Sequence, residues 1–267
     1  MNVVTTRSEL EAARKVLTGR VSVVMTMGAL HAGHVELIRR ARAESDAVVV
    51  TIFLNPLQFA PGEDLDRYPR TLESDLALCA SGGADVVFTP TPAIVYETDP
   101  VVRVSAGHLG DVFEGASRPG HFDGVVTVVL KLLHLTRPDL AYFGRKDAQQ
   151  LACIRRMVRD LDVPVDIVAV PTVREPSGLA MSSRNLYLTG EQRVAAASLH
   201  RALATGSVQA GLALLAQEPG VAVDYLERVD EATFAVAPDG DLLIVAARVG
   251  STRLIDNRSF SPGTPCS

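Results

Sequence analysis

The chain reads as an α/β protein: a parallel sheet wound with helices, followed by a smaller C-terminal α+β domain. Short β-branched runs alternate with amphipathic stretches through the first two thirds of the sequence, the pattern of βαβ units. Turn-forming residues close most of the apolar runs, so the strands end abruptly. Beyond residue 174 the order changes to one long helical stretch and several short strands.

The elements follow in chain order. VSVVMT (21–26) is short, β-branched and followed by turn residues, so it predicts a buried strand. VELIRRARAES (35–45) predicts a helix and AVVVTIFL (47–54) the next strand. LESDLALCASGG (72–83) predicts a helix ended by glycine, and ADVVFTP (84–90) another strand. VVTVVLKLLHLTRP (125–138) is apolar enough for a buried helix stopped by Pro138. DLAYFG (139–144) is a short strand, DAQQLACIRRMVRDL (147–161) a helix with apolar residues at helical spacing, and VDIVAVP (165–171) a strand. In the last third, TGEQRVAAASLHRALATG (189–206) predicts a single helix. AVDYLERVD, ATFAVA and DLLIVAARVGSTRLIDN predict short strands separated by DEA and PDGD turns. The domain boundary is expected near 174–178, giving domains 1–174 and 175–267, with a disordered tail SFSPGTPCS (259–267).

The 267 residues suffice for one large domain or two smaller ones, and 47% hydrophobic against 21% charged residues is a globular balance. The net charge of −5 argues against nucleic acid or an anionic membrane as partner. Cys79, Cys153 and Cys266 show neither metal spacing nor a disulfide framework, which fits a reducing compartment. The N-terminal stretch carries charges where a signal peptide would have its apolar core, and the 47–54 run is too short to span a bilayer. A cytoplasmic protein is the expectation.

Chemistry-bearing residues gather where strands end, and the carboxyl ends of a parallel sheet are where ligands bind. TMGALHAGH (26–34) places His31 and His34 in a glycine-containing turn entering a helix, where free amides and the helix dipole favour phosphate. A glycine turn whose histidines only cap or pack is the plainer alternative. IFLNPLQF (52–59) ends the next strand with Asn55 and Gln58, whose amides both donate and accept, although an ordinary Asn-Pro turn would read the same. FEGASRPGHFDGVVTVV (113–129) puts Glu114, Arg118 and His121 in a loop that could cover a site, although a polar surface loop would read the same. FGRKDAQQL (143–151) offers Lys146 to phosphate charge and Asp147 as a helix cap, with Gln150 one turn inside. PTVREPSGLAMSSRN (171–185) supplies Ser182, Ser183 and Arg184, two hydroxyls and a fixed cation that suit a phosphate, with a helix-capping linker as the plainer alternative. Asp75 could reach a magnesium ion through water, though an exposed aspartate on a helix is the expected state.

Taken together, these segments resemble the pantoate–β-alanine ligase family. TMGALHAGH is similar to the family's histidine signature, itself related to the HIGH element of nucleotidyltransferases and class I aminoacyl-tRNA synthetases. IFLNPLQF, RYPRTLESDL, FEGASRPGHFDGVVTVV, FGRKDAQQL and VREPSGLAMSSRNLYL match in the family's order, and the likeness extends more loosely to RLIDN (253–257). Arg145 stands where the family often has an acid, Ala148 where it often has an aromatic, and Ser74 where a second acid often precedes Asp75.

The resemblance implies a Rossmann-like parallel sheet of the HIGH nucleotidyltransferase type that binds ATP and pantoate, with the smaller domain as a lid. It implies an ATP-dependent condensation of (R)-pantoate with β-alanine through a pantoyl adenylate, yielding pantothenate, AMP and pyrophosphate. His34, His31, Lys146 and Arg184 would be catalytic. Met27, Gly28, Ala29, Leu30, His31, Ala32, Gly33 and His34 would hold ATP. So would Gly144, Arg145, Lys146, Asp147, Val173, Met181, Ser182, Ser183 and Arg184. Gln58 and Gln150 would bind pantoate, Gln58 would also approach β-alanine, and Asp75 would meet Mg2+ through water. A homodimer is implied as well. Two rival readings are another HIGH-type nucleotidyltransferase, which should lack the paired Gln58 and Gln150 with MSSRN, and a non-catalytic nucleotide-binding module, which needs no small-acid pocket.

Overall fold

The computed structural model describes residues 1–60, 62–63 and 65–260. Cys266 and residues 261–267 of the expected disordered tail lie outside the described residues.

A six-stranded, all-parallel sheet is built from β1 (Asn2–Val4), β2 (Val21–Thr26), β3 (Ala47–Ile52), β4 (Val86–Phe88), β5 (Leu140–Gly144) and β6 (Asp166–Val170). The order is β1-β4-β3-β2-β5-β6. Strand order therefore reverses between β2 and β5, and a sheet of this kind leaves a crevice at the carboxyl ends of the two diverging strands. β2 and β3 are β-branched nearly throughout and buried, because strands covered on both faces need no polar side.

The helices of the first part are α1 (Arg7–Val16), α2 (Ala32–Glu44), α3 (Leu72–Gly82), α4 (Pro92–Tyr96), α5 (Glu114–Ser117), α6 (His121–Thr136) and α7 (Ala148–Asp160). α3 ends at Gly83 in the left-handed region (φ 93°), where only glycine is unstrained. α6 starts at His121 rather than at the first apolar run, because the polar turn before it is already helical. β1 and α1 go beyond the sequence expectations. Three residues of strand give no periodicity, but α1 carries a capping box in which Thr6 and Glu9 satisfy each other's backbone amides.

The C-terminal part holds α8 (Gly190–Ala196), α9 (Ser198–Ala204), α10 (Val208–Leu215) and an antiparallel sheet β7 (Val221–Val229), β8 (Leu242–Val249), β9 (Thr252–Ser259). The expected single helix over 189–206 is interrupted at Ala197, where backbone hydrogen bonds lengthen to 3.3 and 3.4 Å. The expected strand ATFAVA is a turn instead. Asp230 accepts from the amides of Ala232 and Thr233, Phe234 adopts φ 55°, and Val236 meets Val229 only as an isolated bridge. DLLIVAARVGSTRLIDN is two strands, folded back at Gly250 (φ 61°).

The chain divides into two compact units. The first comprises Met1–Gly144 and Cys153–Val170, the second Arg145–Ala152 and the chain from Pro171 onward. Segments 145–152 and 171–174, expected with the first domain, thus group with the second unit. Local bonds give the reason: Asn257 on β9 donates to the carbonyls of Arg145 and Lys146, and Met181 donates to Val173. The first unit's core packs Val24, Ile38, Val48, Val50, Cys79 and Val87. The second packs Leu199, Leu203, Leu215, Leu226, Leu243 and Val245.

Candidate active site

The turn after β2 is shaped by a buried carboxylate. Gly28 takes φ 89° and Ala29 φ 49°, which reverses the chain within two residues. Asp75, only 2% exposed, accepts from the amides of Ala29 (3.0 Å) and Leu30 (2.8 Å) and from the Thr71 hydroxyl (3.1 Å). An ionised carboxylate out of water is costly unless donors surround it, and here three do. The expectation of an exposed Asp75 is therefore corrected: its helix turns that face toward the loop it holds. A side chain at Gly28 would press on Asp75 Oδ2 at 3.2 Å.

α2 begins at Ala32, three residues before the predicted start, with His31 as its N-cap. His31 Nδ1 accepts from the amide of Gly33 (3.1 Å), and His34 Nδ1 accepts from the amide of His31 (3.3 Å). An Nδ1 that accepts carries no hydrogen, so the neutral ring bears its proton on Nε2. Both imidazoles therefore present Nε2–H as a donor, at the positive end of α2. The two rings lie 4.2 Å apart, centroid to centroid.

The turn after β3 is a hydrogen-bonded amide chain. Tyr96 at the end of α4 donates to Asn55 Oδ1 (2.7 Å). Burial pushes the Tyr96 hydroxyl well above the ordinary tyrosine range, so it remains a donor at any working pH. With Oδ1 accepting, Asn55 Nδ2 donates to Gln58 Oε1 (3.0 Å) and to the Gly124 carbonyl (3.2 Å). Gln58 is then oriented as well, and its Nε2 lies 2.9 Å from Met27 Sδ. Gly124 lets α6 approach this turn: a Cβ there would sit 2.2 Å from the Leu57 carbonyl oxygen.

Arg118 and His121 brace the same turn. Arg118 grips Glu63 with two nitrogens (2.8 and 2.7 Å) and places Nη1 2.9 Å from His121 Nε2. His121 Nδ1 lies 2.8 Å from the Gln58 carbonyl oxygen and so donates to it, while Nε2 accepts from Arg118. Burial, helped by the Arg118 charge, holds His121 down at about 4, so the ring stays neutral. Glu114, expected in a loop, opens the short helix α5 and is buried, while His121 opens α6, so of the three only Arg118 lies between helices.

In the second unit, Arg145–Asp147 forms a 3-10 turn leading into α7. Lys146 Nζ contacts Asp147 Oδ1 (3.0 Å), and Arg145 pairs with Glu231 at 3.4 Å. Gln150 is half-buried on the first turn of α7. Val173 and Met181 pair across a tight hairpin, closed by Gly178 at φ 89°. Ser182 caps the following 3-10 turn, accepting from the amide of Arg184 (3.3 Å), and brings Ser183 and Arg184 into it.

Within the first unit the structure thus gathers Met27 to His34, Gln58 and Asp75. Within the second it gathers Arg145 to Asp147, Gln150, Val173 and Met181 to Arg184; Gly144 is the last residue of β5. Tyr96 and Gly124 escape the sequence reading, since a tyrosine on a five-residue helix and a glycine inside an apolar helix carry no motif. Burial raises Cys79 to about 11 and Cys153 to about 12, so neither thiol is primed as a nucleophile. Among the described residues no three His, Cys, Asp or Glu side chains cluster as metal ligands.

A model of the family described as Pantoate-beta-alanine ligase matches residues 2–259. A pantothenate synthetase of Acidothermus cellulolyticus is 55% identical over 273 residues, covering 96% of this chain and 90% of that one. One from Salinispora arenicola is 56% identical, covering 96% of both. A crystal structure of pantothenate synthetase from Thermus thermophilus superposes with a TM-score of 0.92 at 46% identity, over 98% of this chain and 100% of that one. Pantoate-beta-alanine ligase from Francisella tularensis, complexed with beta-gamma ATP and beta-alanine, gives 0.85 at 33% identity, over 98% and 99%.

Proposed function

The chain belongs to the pantoate–β-alanine ligase family, and we propose that its strand-end residues divide the work of the two half-reactions. The enzyme condenses (R)-pantoate with β-alanine, using ATP and passing through pantoyl adenylate. A pantoate carboxylate oxygen attacks the α-phosphorus, and the bond to the β-phosphate oxygen breaks as pyrophosphate leaves. The amine of β-alanine then attacks the acyl carbon, AMP departs, and the nitrogen gives up its proton to leave the amide of pantothenate.

A carboxylate and a triphosphate repel, so the first step needs positive charge and hydrogen-bond donors fixed in advance. His31 and His34 donate Nε2–H to the phosphates at the start of α2. Met27 to Gly33 lie along the nucleotide, and the positive φ of Gly28 and Ala29 brings their backbone close to it. Gly144 to Asp147, Val173 and Met181 to Arg184 hold the rest of ATP, with Lys146 and Arg184 stabilising the charge that develops on the leaving pyrophosphate. Gln58 and Gln150 bind pantoate through their amides, and Gln58 also meets β-alanine. Magnesium, when bound with ATP, would screen its phosphate charge. Asp75 Oδ2 accepts from the Ala29 amide, and a second lone pair on that oxygen suits a metal-bound water. A cytoplasmic homodimer completes the reading. No described helix is long and apolar enough to cross a membrane.

The observation that carries this reading is the pair of backbone-accepting Nδ1 atoms, which turns two histidines into two oriented donors at a helix N-terminus. The test is His34→Ala. Pyrophosphate release should fall by about two orders of magnitude, the scale of losing one preorganised donor to a charged transition state. Turnover close to that of the unaltered enzyme would remove His34 from the catalytic set.

A further inference from the structure

Asp256 and Asn257, adjacent near the end of β9, touch both nucleotide-facing segments of the second unit. Asn257 Nδ2 donates to two successive carbonyls, those of Arg145 (2.9 Å) and Lys146 (2.8 Å), so both hydrogens of one amide nitrogen are spent on one turn. Those carbonyls belong to the two peptide planes that flank the Lys146 Cα. Fixing both planes fixes the direction in which the Lys146 side chain leaves the backbone.

Asp256 does the matching work on the other segment. Its carboxylate takes a two-pronged bond from Arg174, at 2.6 and 3.0 Å, and is itself only 5% exposed. Arg174 also donates to the Gly178 carbonyl (3.0 Å) and to the Asn257 carbonyl (3.4 Å). Arg174 bridges to Ala180, so it anchors the hairpin that delivers Met181, Ser182, Ser183 and Arg184. The amide of Asn257 closes the loop by donating to Asp256 Oδ1 (2.8 Å). One dipeptide on a paired strand therefore sets the backbone around Lys146 and the base of the hairpin before Arg184. Rigid elements hold reacting groups more precisely than loops do.

We propose that Asn257 and Asp256 are positioning residues of the ligase: they register the Lys146 turn and the Arg174–Arg184 hairpin against one strand, and their loss weakens use of ATP selectively. The proposal rests on the reading that these two segments face the nucleotide.

The experiment uses the full chain and pantoate-dependent exchange of labelled pyrophosphate into ATP, with melting temperature recorded for each variant. Asn257→Ala and the near-isosteric Asn257→Asp both lack the two donors. Each should raise the KM for ATP by about tenfold or more while the KM for pantoate stays put, since a small misplacement of a reacting group is costly. Arg174→Lys keeps the charge but not the fork and should move the same parameter, which covers the case in which an Asn257 variant fails to fold. Arg253→Ala, on the same strand as Asn257, breaks a pair with Asp224 and should change neither KM. A folded Asn257→Ala enzyme with unaltered KM for ATP overturns the proposal, as does an equal rise in both KM values. Lys146→Ala separates the two levels: if it leaves ATP use intact, the nucleotide-facing reading of the turn fails, whatever the Asn257 variants do.

Discussion

At the scale of single residues, the amides of the turn after β3 are oriented by one another and by Tyr96. Tyr96 donates to Asn55, Asn55 donates to Gln58, and each bond decides which end of the next amide points where. Tyr96→Phe removes the first donor while keeping the ring. Asn55 Oδ1 then keeps only the longer bond from the Leu57 amide (3.3 Å), and the donor to Gln58 is held less firmly. The expected result is a several-fold higher KM for pantoate with an unaltered KM for ATP, measured by steady-state kinetics; equal effects on both would show a general loosening instead. Little of this is legible in the sequence. Gln58 stands out because it follows a strand and an Asn-Pro turn. Tyr96 lies 41 positions from Asn55 in the chain, and no local pattern reports such a contact. Asp75 misleads for a related reason. An acidic residue in the first turn of a helix is normally solvated, and only the tertiary fold shows that two loop amides need it.

At the scale of elements, strands are legible and caps only in part. β2 and β3 announce themselves as largely β-branched runs closed by turn residues, because burial on both faces leaves no polar alternation to confuse. β5 and β6 are legible as short apolar runs closed by Gly144 and Pro171. α1 and α10 escape although both carry caps: Thr6 with Glu9 on the first, and Ser207 accepting from the Ala210 amide on the second. ATFAVA misleads because alternation alone does not make a strand; it also needs a partner, and Asp230 folds this segment into a turn first. The packing of α6 on the 3-10 turn Pro56–Gln58 depends on Gly124, which no periodicity singles out. Gly124→Ala drives a methyl into the Leu57 carbonyl and the Gln58 amide, at 2.2 and 2.7 Å. A loss of about 1–3 kcal/mol is expected from such overpacking, read as a lower denaturation midpoint, and with it weaker pantoate binding. A variant as stable as the parent would mean that α6 can shift away without cost.

At the scale of the whole molecule, separate segments each carry an ordinary motif, and their chemistry makes sense only together. The strand order places the reversal between β2 and β5, so the TMGALHAGH turn and the end of β5 leave neighbouring strands of one sheet. That juxtaposition follows from topology, which the sequence implies through its alternation of strands and helices but does not order. The division into units is less visible still, because residues 145–152 join the C-terminal unit through bonds to Asn257, which is 112 positions from Arg145. What unites these features is a first half-reaction that needs ATP and pantoate alone. The direct measurement is exchange of labelled pyrophosphate into ATP by the full chain, without β-alanine. Exchange should require pantoate and proceed in the absence of the amine, with pantothenate forming once β-alanine is added. Pantothenate formation with no exchange until β-alanine is present would contradict an adenylate intermediate and the site roles built on it.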